Sequence, residues 1–209
     1  MNCEVIIPET QEFLCENCKN SLPLTGMILG SGHELHAKIN ETARIKYASS
    51  LLFFEQGNIA QMLIHYMKYK NFPEVGAWLA DIWLEENKNN PALSEIEAIV
   101  PVPIHAKRER KRGYNQVEAC AKRLAERLNC SFDNQVLVRE HHLESQTASG
   151  RYERLERMKN AFRQTNSEAK HYLLVDDVFT TGATLTACAE ELLKVPETEV
   201  SIFTLAKVK

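Results

Sequence analysis

Residues 173–184, with the sequence LLVDDVFTTGAT, constrain the fold of this chain more than any other stretch. They begin with three β-forming residues that show no apolar–polar alternation, which predicts a strand buried on both faces of a parallel sheet. We expect this strand to end at Asp176 and Asp177. Both carboxylates would then lie at the carboxyl end of the strand, where open α/β sheets bind ligands. Adjacent carboxylates there can accept hydrogen bonds from a vicinal diol or hold a hard cation.

The loop that follows the two acids predicts a site for a monophosphate dianion. Its glycine permits a tight turn, and the next helix directs its N–H groups and the positive end of its dipole toward the loop. The alternative is an Asp-rich turn and a threonine-capped helix that bind no ligand. That alternative is disfavoured because two adjacent acids at the end of a buried strand are costly unless they are used. The candidate phosphate-binding residues are Thr180, Thr181, Gly182, Ala183 and Thr184.

A second stretch, residues 98–116, combines an apolar strand with a run of basic residues. The strand over 98–102 is brought to an end by prolines, and a basic loop with five cations and one acid follows. Gly113 then precedes a helix predicted over 114–128. Arginine side chains and helix-end amides suit a pyrophosphate, whereas a charge run alone is also typical of a solvated or nucleic-acid-facing surface. The candidate pyrophosphate-binding residues are Lys107, Arg108, Arg110 and Arg112.

The two motifs together resemble the ComF family of competence-associated proteins, within the type I phosphoribosyltransferase superfamily. The resemblance covers nearly the whole chain, including Lys68 and Tyr69. It implies that Asp176 and Asp177 are the catalytic acids and hold the ribose hydroxyls of phosphoribosyl pyrophosphate (PRPP), with Mg²⁺ bridging those hydroxyls and the pyrophosphate. The basic motif matches the family at Lys107, Arg108, Arg110, Arg112, Gly113, Tyr114, Asn115 and Gln116.

Between the two motifs, a polar segment and a highly charged helix over 151–158 resemble the flexible loop that closes over bound PRPP in this family. Gln146 and Arg154 match the family pattern. Ser149 stands where the family usually has leucine, and Arg157 where it has asparagine. The resemblance therefore implies a closing loop whose contacts differ in detail from the family pattern.

The cysteines near the start of the chain suggest a structural zinc site. Cys15 and Cys18 form a Cys-x-x-Cys pair, and Cys3 lies twelve residues before Cys15. A structural zinc site normally has four ligands. Three hypotheses stay open: a truncated zinc ribbon, completion of the site by His33 or His36, or loss of the metal. A redox role is disfavoured because the βαβ context of a redox Cys-x-x-Cys does not precede the pair.

The remaining pattern predicts one α/β domain with a small N-terminal appendage. Residues 1–44 are expected to form the zinc-ribbon-like appendage and an irregular cover, and residues 45–209 the phosphoribosyltransferase-like domain. Strands and helices alternate from residue 98 onward, which predicts a doubly wound parallel sheet. A strand is predicted over 47–55 and a helix over 73–87.

A further helix, predicted over 59–69, carries an apolar stripe at helical spacing. Its end, Lys68 to Lys70, is expected to be a solvated helix C-terminus, where cations suit the dipole. The residues expected to face the core are Ile59, Met62, Leu63 and Tyr66.

The composition indicates a soluble globular protein. The chain has 209 residues, of which 44% are hydrophobic and 25% charged, and its net charge of −3 argues against a uniformly basic nucleic-acid-binding surface. The first residues lack the basic and apolar regions of a leader, and no apolar run is long enough to span a bilayer. We therefore expect a cytoplasmic protein without membrane insertion.

The resemblance implies a phosphoribosyltransferase that transfers or hydrolyses at C1 of PRPP and releases pyrophosphate, with an acceptor that the sequence does not name. The alternative is a non-catalytic component of the natural transformation machinery that senses PRPP or binds single-stranded DNA. Aromatic residues beside the basic runs would favour DNA binding, and only Tyr114 and Tyr152 lie there. A transcriptional regulator is disfavoured because the sequence lacks a helix-turn-helix signature.

Overall fold

The computed structural model describes residues 13–139, 161–165 and 168–209, which form an α/β arrangement. A short 3₁₀ helix, Pro91–Glu95, precedes the second strand. The helices are α1 (Glu16–Asn20), α2 (Glu34–Asn40), α3 (Ile59–Tyr69), α4 (Glu74–Glu86), α5 (Ala106–Arg112), α6 (Glu118–Leu128) and α7 (Ala183–Leu192). The strands are β1 (Ala48–Phe54), β2 (Ala98–Pro101), β3 (Ser131–Phe132), β4 (Leu137–Arg139), β5 (Phe162–Gln164), β6 (His171–Phe179) and β7 (Glu199–Val208).

Five strands form one parallel sheet in the order β1-β7-β6-β2-β3. The short strands β4 and β5 form a separate antiparallel pair. Every neighbouring pair in the large sheet is parallel, so the chain crosses from one end of the sheet to the other between strands. The doubly wound parallel sheet expected from the sequence is therefore confirmed.

Apolar residues cover both faces of this sheet. Helices α3, α4 and α6 contribute Leu63, Leu79 and Leu124 to the cluster on one face. Helices α2 and α7 contribute Ile39 and Leu185 to the cluster on the other. From Tyr172 to Val175, strand β6 supplies side chains alternately to the two clusters. This two-sided burial explains why the strand sequence shows no apolar–polar alternation.

Strand β6 extends beyond the two acids, so the expectation that it ends there is wrong. Its pairing with β2 ends at Val175, opposite Pro101, whereas its pairing with β7 continues to Phe179, opposite Lys207. The cause is the unequal length of its neighbours, because prolines shorten β2 and β7 runs on to Val208. Asp176 and Asp177 thus lie past the end of one neighbouring strand and beside the other.

The basic segment is a helix, α5, and not the expected loop. The ring of His105 accepts a hydrogen bond from the backbone N–H of Lys107 at its start, and Gly113 ends it in the left-handed region at φ 84°. Alanine, lysine, arginine and glutamate favour a helix, and cations in its last turn are stabilised by the dipole. The next helix begins at Glu118, later than expected, because Asn115 folds the intervening turn through hydrogen bonds to Val102 and Val117.

Two smaller expectations about the first half of the chain need correction. The buried side of α3 is rotated relative to the expected stripe, and its buried residues are Ala60, Leu63, Ile64 and Met67. The segment expected to be an irregular cover contains α2, whose Leu35 and Ile39 are buried. It also forms antiparallel bridges to β1 at Leu24 and Gly30.

The core around Trp83 gives a test of this packing. Its side chain is 1% exposed, its ring stacks on Phe203 at a centroid distance of 4.3 Å, and its Nε1 donates to Ser49 Oγ at 2.9 Å. We expect Trp83→Phe to lower the free energy of unfolding by about 1–3 kcal/mol, because it removes a buried hydrogen bond and leaves a cavity. Urea denaturation measures the change. The half-buried Trp78 is the control, and an equal loss in Trp78→Phe would contradict the assignment.

Candidate functional site

The acid pair lies at the carboxyl side of the sheet, and each carboxylate oxygen of Asp177 has one side-chain partner. Lys68 Nζ donates to Asp177 Oδ1 at 2.9 Å, and Gln116 Nε2 donates to Asp177 Oδ2 at 2.6 Å. Asp177 is 8% exposed, so these partners compensate a carboxylate that is largely removed from water. Asp176 is half-buried, and its Oδ1 accepts a hydrogen bond from the backbone N–H of Asp177 at 2.8 Å.

Asp176 has an unusual proton affinity. Burial raises the pKa of Asp176 to about 7, and the negative charge of Asp177 adds to the rise. The positive charges of Lys68 and Arg139 act in the opposite direction. Near neutral pH the site can therefore gain or lose a proton, and a bound hydroxyl donor or cation would favour its ionised form.

Lys68 is a site residue that the helical pattern missed. It was expected to lie on a solvated helix end, but its side chain leaves α3 and reaches Asp177, which lies 109 residues later in the sequence. The available signal was the resemblance of Lys68 and Tyr69 to the family pattern. Helical periodicity gives no indication of this long-range ion pair.

Three cations of α5 line the same cavity as Lys68 and together form a basic wall: Arg108, Lys111 and Arg112. Arg112 Nη1 donates to Gln116 Oε1, and Gln116 in turn donates to Asp177. The guanidinium of Arg112 also lies over the ring of Tyr69, 5.2 Å from its centroid. Arg112 and Tyr69 border a cavity of about 470 Å³ lined by Lys68, Tyr69, Asn71, Arg108, Lys111, Arg112 and Tyr114.

The helical form of α5 separates the predicted pyrophosphate residues into two sets. Arg108 and Arg112 line the cavity together with Lys111, at helical spacing. Lys107 and Arg110 do not line the cavity. The structure therefore brings two of the four predicted residues to the site and adds Lys111.

Arg139 is a further cation near the acids that sequence reasoning did not select. It is half-buried at the end of β4, and its guanidinium lies over the ring of Phe162 at 5.3 Å. Burial lowers the pKa of Arg139, the positive charge of Arg108 lowers it further, and Asp176 opposes the change. These interactions connect Arg139 electrostatically with the basic wall and with the acid pair.

The predicted phosphate loop has the tight turn expected of it. Gly182 lies at φ 82°, and a Cβ at this position would come within 2.7 Å of the Phe179 ring, so only glycine fits. Helix α7 begins at the next residue, and Thr181 Oγ1 accepts from the backbone N–H of Ala183 at 3.5 Å. Thr180 and Thr181 are exposed and Thr184 is half-buried. Binding of phosphate there stays a prediction.

The structure does not support completion of a zinc site by a histidine. His33 Nε2 lies 2.8 Å from the carbonyl oxygen of Ala48, and His36 Nε2 contacts another main-chain carbonyl. Among residues 13–139, 161–165 and 168–209, neither histidine forms a group of three metal-ligating side chains with Cys15 and Cys18.

Several predicted residues lie outside the described part of the chain. They are Cys3, Gln146, Tyr152 and Arg154. The zinc site and the closing loop therefore stay predictions. Within the described ranges, no helix combines the length and the apolar character needed to cross a membrane.

Comparison with known proteins identifies several relatives, although no family model matches the chain. The DNA utilization protein YhgH of Salmonella typhimurium is 31% identical over 156 residues, which cover 70% of this chain and 66% of that protein. Competence protein F of Haemophilus influenzae is 31% identical over 153 residues, covering 70% and 67%. Competence protein ComFC of Bacillus subtilis is 30% identical over 211 aligned positions, covering 94% and 85%. The chain thus spans just under two thirds of YhgH.

Solved structures with a similar backbone include adenine phosphoribosyltransferase from Leishmania tarentolae. Its TM-score is 0.39 at 13% sequence identity, covering 76% of this chain and 91% of that one. Adenine phosphoribosyltransferase from Leishmania donovani has a TM-score of 0.38 at 12% identity.

The raised pKa of Asp176 predicts a pH dependence of stability. The folded protein binds this proton more tightly than the unfolded chain does, so the free energy of unfolding falls as the pH rises from about 4 to about 7. Asp176→Asn removes the titrating group. We expect the variant to gain stability relative to the unsubstituted protein across this window, by at most about 1.4 kcal/mol per pH unit. Urea denaturation at about pH 5 and pH 8 measures the difference, and equal pH slopes would contradict the prediction.

Proposed function

This chain belongs to the ComF family of competence-associated proteins, and on that premise we propose that it binds PRPP at the acid pair and reacts at C1 of the sugar. The proposal rests on one series of contacts. Arg112 donates to Gln116, and Gln116 donates to Asp177. Lys68 forms an ion pair with the same carboxylate. These contacts join a pair of acids suited to a sugar diol with a basic wall suited to a pyrophosphate.

The proposed ligand has three parts, and a different group of residues binds each of them. Asp176 and Asp177 accept hydrogen bonds from the ribose 2′- and 3′-hydroxyls, because each carboxylate oxygen keeps a second lone pair beside its present partner. The loop at Gly182 and the first N–H groups of α7 bind the 5′-phosphate. The pyrophosphate lies in the cavity against the basic wall, in contact with Lys68, Arg108, Lys111 and Arg112.

The donor set at the acid pair fits Mg²⁺ that is bound together with the ligand. Mg²⁺ in phosphate-binding enzymes takes one or two carboxylates and completes its shell with phosphate oxygens and water. Asp176 and Asp177 offer those carboxylates, and no third metal-ligating side chain joins them within the described ranges. When bound, Mg²⁺ would neutralise part of the charge on the pyrophosphate and so favour its departure.

The proposed chemistry needs little proton transfer by the protein. The bond between C1 and the pyrophosphate oxygen breaks, the electron pair leaves with the pyrophosphate, and a nucleophile forms the new bond to C1. Arg108, Lys111 and Arg112 stabilise the negative charge on the leaving group, while the acid pair stabilises positive charge on the sugar. Positioning supplies the rest of the rate, and water as the nucleophile would give hydrolysis.

A second candidate function is binding of single-stranded DNA, and one surface of the structure favours it. Tyr69 is 64% exposed and Phe72 is 40% exposed, and the ring of His65 lies 5.1 Å from that of Tyr69. Exposed aromatic rings beside a basic wall suit the stacking of bases along a charged backbone. The expected aromatic, Tyr114, is half-buried and donates its hydroxyl to the carbonyl of Met67, so it is a poorer platform.

This second function agrees with the names of the relatives, which refer to DNA utilization and competence. We propose that the chain takes part in the handling of DNA during natural transformation, together with other proteins of that machinery. Both candidate functions use the same basic wall, so PRPP and DNA are expected to compete for it.

The two parts of the proposed PRPP site predict two different defects. Asp177→Asn removes a charge-assisted interaction with the ribose and should weaken PRPP and ribose 5-phosphate alike, by about 1.5–3 kcal/mol. Arg112→Ala should weaken PRPP strongly and leave ribose 5-phosphate nearly unchanged, because the monophosphate does not reach the basic wall. Isothermal titration with Mg²⁺ and with a chelator measures both affinities.

The matched control for Arg112→Ala is Arg110→Ala, which removes the same charge from the exposed side of α5. It should leave both affinities nearly unchanged. Equal loss of PRPP affinity in the two arginine variants would show that only total charge matters. PRPP binding that is indifferent to Mg²⁺, or no binding at all, would refute the proposed function.

The aromatic platform predicts a specific loss of DNA binding. Tyr69→Ala should weaken binding of a short oligothymidylate by about 1–3 kcal/mol, because one stacking contact is removed. Tyr69→Phe keeps the ring and should retain the affinity. Fluorescence anisotropy at several salt concentrations measures both variants, and Arg112→Ala should also reduce the salt dependence. An affinity that is unchanged in Tyr69→Ala would contradict the role of this platform.

A further inference from the structure

A cluster of two carboxylates and one imidazole lies at the end of the sheet opposite the acid pair. Glu95 ends the 3₁₀ helix, and His171 and Glu199 are the first residues of β6 and β7. One ligand atom from each of the three side chains lies within 4.8 Å of the others. None of these groups takes part in the proposed PRPP or DNA site.

The imidazole of His171 has one nitrogen that is buried without a hydrogen-bond partner. The residue is 2% exposed, its Nε2 lies 2.9 Å from Ser201 Oγ, and its Nδ1 has no partner within hydrogen-bond distance. That Nδ1 faces the cluster, 3.8 Å from Glu199 Oε2. When Nε2 donates to the serine, Nδ1 carries the lone pair and is available to a metal ion. A buried polar atom without a partner is rare and calls for an explanation.

The two carboxylates already converge on one cation, the ammonium group of Lys46. Lys46 Nζ lies 2.6 Å from Glu95 Oε2 and 2.6 Å from Glu199 Oε2. The ammonium group contacts the two carboxylates, and Nδ1 of His171 stays without a hydrogen-bond partner. The lysine side chain is 28% exposed, so its flexible stem can withdraw the ammonium into water.

A further contact orients one of the carboxylates. The hydroxyl of Tyr47 lies 3.2 Å from Glu95 Oε1 and 3.5 Å from Oε2, and Oε2 also contacts Lys46. The contact between His171 and Ser201 orients the imidazole in the same way. Such outer hydrogen bonds are typical of side chains that bind a metal ion.

We propose that Glu95, His171 and Glu199 form a binding site for a divalent transition metal of the Zn²⁺ class, and that Lys46 competes with the metal for the two carboxylates. An imidazole together with carboxylates suits Zn²⁺, Co²⁺ or Ni²⁺ and not Mg²⁺, which prefers oxygen ligands alone. Three protein ligands leave one tetrahedral position for water.

The side chains have room to complete this geometry. Ligand atoms around tetrahedral zinc lie roughly 3.3–3.5 Å apart, as follows from metal–ligand distances of about 2.0–2.2 Å. The two glutamates must therefore move inward by about an ångström. Their side chains are 38% and 49% exposed, so solvent and not packed protein surrounds their free sides.

Titration of the full chain with Co²⁺, followed by visible absorption and by displacement with Zn²⁺, tests the proposal. Lys46→Met removes the competing cation and should raise the Co²⁺ affinity at least about fivefold. Glu199→Gln removes a ligand and should lower it at least about tenfold. The matched control is Glu197→Gln, at the same end of the sheet, where the carboxylate pairs with Lys170 and not with the cluster. Its Co²⁺ affinity should not change.

Absorption also distinguishes this site from the N-terminal cysteines, because Co²⁺ bound by thiolates shows an intense sulfur-to-metal charge-transfer band that imidazole and carboxylate ligands do not produce. Loss of the non-thiolate spectrum in His171→Gln, in protein whose urea denaturation confirms that it is folded, supports the assignment. A spectrum with thiolate bands alone would overturn the proposal. So would an affinity that Lys46→Met fails to raise or that Glu199→Gln fails to lower. Neither position is buried, so these two variants keep the test decisive if His171→Gln does not fold.

Discussion

The parallel pairing of β6 with a neighbour on each side is the constraint on which the rest of this structure depends. Because β2 and β7 occupy both edges of β6, its side chains must be buried above and below the sheet, and helices cover both faces. The neighbours differ in length, so the acids of β6 pass beyond β2 while β7 still supports their backbone. Two carboxylates are thereby held at the end of an apolar run, where β6 extends past β2.

Holding those carboxylates requires compensating groups from distant parts of the chain. Asp177 accepts hydrogen bonds from Lys68 at the end of α3 and from Gln116 in the turn before α6. Asp176 accepts one hydrogen bond from a backbone N–H, and burial raises its pKa. The adjacent acids therefore differ in their surroundings: Asp177 contacts a lysine and an amide, whereas burial raises the pKa of Asp176. Sites that bind a ligand commonly separate the properties of neighbouring acids in this way.

Features of the fold that depend on neighbouring residues could be predicted from the sequence, whereas contacts between residues far apart in the sequence could not. The buried strand and the turn at Gly182 depend on neighbouring residues, so the apolar run and the glycine revealed both. The ion pair between Lys68 and Asp177 joins positions that only tertiary packing brings together, and α3 gave no local sign of it. The length of β6 is set by its pairing with β7, which the sequence of β6 alone does not reveal. In α5 a dense run of like charges obscures residues that favour a helix.

The finding that the basic segment is a helix makes its register, and not its charge, the property that defines the cavity wall. Successive residues of an α-helix are rotated by about 100° around its axis, so a single inserted or deleted residue before Arg108 would turn a different set of cations toward the acids. Two relatives with the same number of basic residues in this segment could thus present unlike surfaces to a ligand. Alignments of this stretch are therefore informative only when they are free of gaps between His105 and Gly113, the two residues that bound the helix.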